Sequence, residues 1–130
     1  MPITEETRTL IFTKLKRNFE KFTPPLVIKI DELNRSFELI GNKPVPYGYD
    51  KKIVPGMFFA SVAQRKESVT FHFFPLYMDP TLNGLALSLY KCLKGKTCFH
   101  FKKEEQIDEK ELTLLIEKGL LAWEKSGYME

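Results

Sequence analysis

The sequence predicts an α+β fold: a two-layer domain with an antiparallel sheet of about five strands and helices packed on one of its faces. Three observations predict it. A helical apolar period runs from Thr4 to Phe22. Alternating apolar segments separated by short polar turns fill the middle of the chain. Two further helical patterns, each opened by an aspartate, flank one more alternating segment. The expected order is α-β4-α-β-α over a single domain of residues 1–130.

The first helix is expected over Thr4 to Phe22. Leu10, Ile11, Leu15, Phe19 and Phe22 recur at steps of one, three and four and share a face. Thr4 suits the N-cap, Glu5 and Glu6 suit the positive end of the helix dipole, and Pro24-Pro25 ends the helix. Leu26, Ile28 and Ile30 then alternate with Val27 and Lys29. After a turn over Asp31 to Asn34, Ser36 to Ile40 alternates with Phe37 and Leu39 on one side. Gly41 to Pro55 is rich in Gly, Pro, Tyr and Lys and reads as a long loop, a functional candidate by its length. Met57 to Gln64 and Ser68 to Phe74 read as a hairpin around Arg65 to Glu67.

Asp79-Pro80 predicts a helix start, with Leu82, Leu85, Ala86, Leu89 and Leu93 on its inner face and Gly95 as its stop. Thr97 to Phe101 reads as a short strand. Asp108 and Glu111 resemble a capping box for a last helix, whose core side is Leu112, Leu115, Ile116, Leu120 and Trp123.

Composition narrows the function classes. The 130 residues, 43% apolar and 28% charged, have the balance of a globular protein with one core. Glu5 and Glu6 stand where a secretory leader has a basic flank and an apolar run, so no leader is expected. No apolar run reaches the ~18 residues of a membrane span. Two cysteines, Cys92 and Cys98, are too few for a secreted disulfide scaffold and point to reduced thiols in a cytoplasm. The net charge of +3 is mild. Between Ser68 and Lys103 the only acid is Asp79, whereas Glu104 to Glu130 holds eight acids against three lysines. Basic residues interleaved with exposed aromatics, the pattern of a nucleic-acid site, are not evident.

Strand alternation predicts which side chains meet the helices. Phe58, Ala60, Val62, Val69, Phe71, Phe73, Phe99 and Phe101 form the expected inner set. Glu38, Ser61, Thr70, His72, Cys98 and His100 form the expected outer set, together with Phe59 and Phe74, whose exposure there suggests a homodimer surface. Glu38, His72, Cys98 and His100 are metal-competent, and Cys98 and His100 point the same way from one strand. Their spacing matches no zinc finger or ribbon. Gly95-Lys96-Thr97 imitates the end of a phosphate-binding loop, but Tyr90 stands where that loop needs glycine. The acids Glu104, Glu105, Asp108, Glu109 and Glu111 are an oxygen-rich run that suits helix capping or a hard cation. No nucleophile elbow, H-E-x-x-H or glycine-rich dinucleotide turn occurs, so no catalytic residue is assigned.

Several segments together resemble the YdhG-like bacterial domain family. They are Pro46-Tyr47-Gly48, then Phe58-Phe59-Ala60-Ser61-Val62, then Val69-Thr70-Phe71-His72-Phe73, then Gly95-Lys96-Thr97-Cys98-Phe99-His100-Phe101-Lys102-Lys103. The resemblance spans about Thr4 to Trp123, and His72 and Cys98 fall in matching positions. It implies a frataxin-like α+β fold. Most members have no assigned function; one branch is described as an iron chaperone for iron–sulfur cluster or haem assembly.

The expected function is a small, cytoplasmic, non-enzymatic binding domain for a small molecule, metal or protein. Its surface would be the outer sheet face, with Glu38, His72, Cys98, His100 and Tyr47 as candidate ligand-binding residues and the Gly41–Pro55 loop at the rim. The alternative is the iron chaperone; no cofactor is expected apart from iron in that case, and the metal of any site on the outer face is left open. Neither a membrane nor a nucleic acid is an expected partner.

Overall fold

A computed structural model describes residues 3–23, 26–33, 35–47, 50–94 and 97–129, with the side chains of Tyr47, Met78, Pro80, Asn83 and Leu85 outside that description. Pro24, Pro25, Asn34, Gly48, Gly95 and Lys96, to which sequence reasoning gave roles, lie outside it too. The protein is α+β. The described elements are α1 (Glu5–Glu20), β1 (Val27–Asp31), β2 (Ser36–Ile40), β3 (Val45–Tyr47), β4 (Lys52–Val54), β5 (Phe58–Gln64), β6 (Val69–Phe73), α2 (Pro75–Met78), α3 (Leu87–Tyr90), β7 (Leu93–Lys94), β8 (Cys98–Phe101) and α4 (Glu109–Lys125). Short 3-10 turns cover Pro80–Leu85 and Glu104–Gln106.

Six strands form one sheet in the order β1-β2-β5-β6-β8-β7, and every described pairing is antiparallel. The sixth strand, β7, falls where a helix was expected to end. The Gly41–Pro55 segment is not a plain loop either: β3 and β4 pair in it as a small separate hairpin, and Lys51, just before β4, has φ 54°.

Helix α1 begins as its sequence dictates. The Thr4 side chain accepts a hydrogen bond from the Thr7 amide at 3.1 Å. Its buried stripe is Arg8, Ile11, Leu15 and Phe19, offset from the expected one, for Leu10 is 48% exposed. Phe19 meets the sheet edge-on, 6.2 Å from Phe37 and 5.5 Å from Phe71. Helix α4 buries Leu112, Leu115, Ile116, Leu120 and Trp123, the expected set. Asp108 caps it by accepting from the Lys110 and Glu111 amides. Glu111 does not complete a capping box; it reaches across to the Ser88 and Leu89 amides at the start of α3. Gly127, at φ +83°, ends α4 in a left-handed turn, with the Tyr128 amide bonded to the Trp123 carbonyl at 2.9 Å. That turn seats Tyr128 against the Trp123 ring at 5.4 Å.

The expected helix from Asp79 to Leu93 is broken. Asn83-Gly84 is a weak helix former in its centre, and Asp79 bonds the Thr81 amide in a local turn. Leu82, Ala86 and Leu89 still reach the core from the fragments that result. Beyond Cys92 the chain becomes a strand because β8 offers it hydrogen bonds, among them His100 N–H to the Cys92 carbonyl at 2.9 Å.

The inner sheet face differs from strict alternation at one place. The β2–β5 register runs Leu39 opposite Ala60 and then Ile40 opposite Phe58, so Phe59 is the extra residue of a β-bulge. The bulge reverses the two phenylalanines. Phe59 is fully buried, 5.3 Å from Phe73 and 5.4 Å from Trp123, while Phe58 moves to the outer side. Phe74 is part-buried between Phe58, Tyr77 and Trp123. The expected Phe59–Phe74 dimer surface therefore does not exist as such, because Phe59 belongs to the core.

Candidate ligand face of the sheet

The registers align one row of outward side chains across the whole sheet. Lys29 pairs with Glu38, Glu38 with Ser61, Ser61 with His72, His72 with Cys98, and Cys98 with Lys94. In an antiparallel ladder, directly paired residues project to the same side. Ser61, His72 and Cys98 are half-buried by their neighbours, while Lys29, Glu38 and Lys94 are exposed. The next row along holds Ser36, Ala63, Thr70 and His100.

Of the five candidate residues, the structure brings two together. His72 Nδ1 lies 3.0 Å from Cys98 Sγ. His100 stands two residues further along β8, opposite Thr70 rather than His72. Glu38 is two strands from His72, about 10 Å at the usual strand spacing, with Ser61 between them. The Tyr47 backbone pairs with Lys52 in the β3–β4 hairpin, and its side chain lies outside the described residues. Among the described residues no three His, Cys, Asp or Glu side chains converge as metal ligands.

Thr97 was not among the candidates. It is buried, and its Oγ1 is 2.9 Å from His72 Nδ1 and 4.0 Å from Cys98 Sγ. A single imidazole nitrogen thus faces both a hydroxyl and a thiol. The bulge adds a fourth member: the Phe58 ring stacks on the His72 ring at 5.4 Å and 23°. No sequence signal located Phe58 there, because strand alternation placed it inside. Burial lowers the His72 pKa from its ordinary 6.5, so the ring is mainly neutral at neutral pH. A neutral ring protonated on Nε2 accepts at Nδ1.

The two cysteines are free thiols and differ in kind. Cys92 is buried, and burial pushes its pKa up, which favours the inert thiol. Cys98 is part-exposed on the outer face.

Two shallow depressions adjoin the row on the β1–β2–β5 side. The first, about 340 Å³, is lined by Lys29, Asp31, Ser36, Glu38, Ser61 and Arg65. The second, about 330 Å³, is lined by Lys29, Glu38, Ile40, Val54, Gly56 and Phe58, so the β3–β4 hairpin supplies one wall. Lys29 and Glu38 belong to both. Lys29, Arg65, Ile40 and Val54 were also absent from the candidates.

Four of the five acids near α4 are engaged elsewhere. Glu109 accepts from Asn18 and Arg17 at 3.0 Å each, and the Asn18 bond first, then Arg17, hold its carboxyl below the usual range. Glu104 pairs with Lys14, while Asp108 and Glu111 cap α4 and α3. No described helix is long and apolar enough to cross a membrane. Comparison with protein-family models, curated proteins and solved structures finds no match to this chain.

Proposed function

We propose that the protein is a non-enzymatic binding domain that holds a small metabolite on the outer sheet face, in the two depressions divided by Lys29 and Glu38. The observation that supports this most is their shared lining. One depression is mixed, with the cations Lys29 and Arg65 and the acids Asp31 and Glu38 beside Ile30 and Phe37; the other is more apolar, with Ile40, Val54 and Phe58. A ligand with an anionic end and an apolar body matches that division, and each volume is at the small end of ligand pockets. The free thiols support a reducing, cytoplasmic setting.

The kinship with the YdhG-like family and its frataxin-like fold is part of this proposal and rests on the sequence segments quoted above. The iron-chaperone alternative finds less support, since Glu104, Asp108, Glu109 and Glu111 each have a structural partner.

Chemical-shift mapping with a panel of aromatic and branched-chain carboxylates tests the reading. Shifts should concentrate at Lys29, Glu38, Ser61 and Phe58, and Lys29→Ala should weaken binding about tenfold. Shifts scattered over the helices, or none at millimolar ligand, would reject it.

A further inference from the structure

We propose that Cys98 is a modification site: a thiol that exchanges with low-molecular-weight disulfides, with His72 as the base that takes its proton. The geometry is that of a paired nucleophile and base. Nδ1 stands 3.0 Å from Sγ. The imidazole is held on two sides, by the Thr97 hydroxyl at 2.9 Å from the same nitrogen and by the stacked Phe58 ring. These contacts need β5, β6 and β8 to be in register, so they are built by the fold rather than by chain neighbours. Opposite Cys98, on its other flank, the ladder sets the exposed Lys94. A base at hydrogen-bond distance and a part-exposed sulfur are the geometry that thiol–disulfide exchange needs.

The step balances without any further reactant. The Sγ proton passes to His72 Nδ1. The thiolate attacks one sulfur of the disulfide, and a new S–S bond forms as the old one breaks. The second half leaves as a thiolate and recovers the proton from the imidazolium. The disulfide is the only oxidant. Burial favours the neutral ring, and its Nε2–H tautomer presents an unprotonated Nδ1 to the thiol and to the Thr97 hydroxyl. Around the ring on the same face stand Cys98 and His100 in β8, Lys94 in β7 and, beyond Ser61 of β5, Glu38 in β2. The inference rests on the Cys98–His72 pair; Phe58 also lines the second depression, but the exchange step needs no ligand there.

The test follows the full chain reacting with glutathione disulfide by intact mass, and with a chromogenic aromatic disulfide by absorbance. One thiol should react first. Cys98→Ser should abolish that phase, and Cys92→Ser should leave it unchanged. His72→Gln should slow it roughly tenfold. The wild-type rate should fall on acidification through the imidazole's pKa, and that inflection should vanish in His72→Gln. A fast phase that survives Cys98→Ser, or a His72→Gln rate equal to wild type, overturns the proposal. If His72→Gln does not fold by circular dichroism, the Cys92→Ser chain is compared in its native state and in urea. Cys98 should then react roughly tenfold faster when folded, and an equal or slower folded rate overturns the proposal. A protein that binds no metabolite yet passes these tests refutes the ligand reading alone.

Discussion

At the scale of single residues, Arg8 shows how a charge can occupy a core stripe. It sits one helical turn before Ile11 on the buried side of α1 and is only 9% exposed. Its Nε donates to the Arg65 carbonyl at 2.8 Å, and its Nη2 donates to the Lys66 carbonyl at 2.9 Å and the Ile3 carbonyl at 3.1 Å, while Nη1 pairs with Glu5. The guanidinium thereby ties the start of α1 to the β5–β6 turn. Arg8→Ala should cost about 2 kcal/mol in urea unfolding, the range for hydrogen bonds from charged groups. Arg8→Lys should recover only part of that, because an ammonium lacks the planar fork. The apolar period found Ile11, Leu15 and Phe19 of the stripe but not Arg8, whose place in it was legible only once the carbonyls of a distant turn were in place. The same holds for Thr97, whose role depends on a histidine 25 residues earlier in the chain.

At the scale of elements, α4 is fitted to the sheet through Gly119. A Cβ there would lie 2.7 Å from the end of the Phe73 ring and 3.1 Å from both the Phe59 ring and Pro75. Alanine ordinarily improves a helix over glycine by about 1 kcal/mol, while overpacking a core costs about 1–3 kcal/mol. Both phenylalanines are fully buried, so the cost should win. Gly119→Ala should lower stability by about 1 kcal/mol, read as a shift in the urea midpoint at constant slope. A stabilised variant would show that the rings move aside freely. The limits of α4 were legible in its cap at Asp108 and its period. Its close approach to the sheet was not, because the bulge that turns Phe59 inward lies in another strand. The expected helix after Asp79 failed for one local and one distant reason: Asn83-Gly84 is a weak helix former in its centre, and β8 draws the chain beyond Cys92 into strand pairing.

At the scale of the whole molecule, three shifted groups shape stability against pH. His72 has a folded pKa below its ordinary 6.5, so the unfolded chain binds its proton more readily. Its contribution is full above 6.5 and is lost as pH falls through the folded value. Glu109, held down by Asn18 and Arg17, contributes fully above its ordinary 4.5 and loses that on further acidification. Cys92 is raised from 9.0, so its contribution is full below 9.0 and lost as pH rises through the folded value. Urea unfolding at several pH values should therefore show greatest stability between 6.5 and 9.0. His72→Gln should flatten the decline just below 6.5. A wild-type profile still rising as pH drops below that value would contradict the shift.

By itself, the sequence determined the α+β class, the caps at Thr4 and Asp108, the buried face of α4 and most of the alternation that separates the two sheet faces. These are local properties: a period, a cap or a turn is written in neighbouring residues. It also placed His72 and Cys98 on one face. Only the tertiary structure decided that they touch, that Phe58 rather than Phe59 stacks beside them, and that Lys29 and Glu38 divide two depressions. Strand order, register and the bulge arise from pairing between distant segments. Alternation predicts sides only while the ladder is unbroken, and a partner strand decides where it breaks.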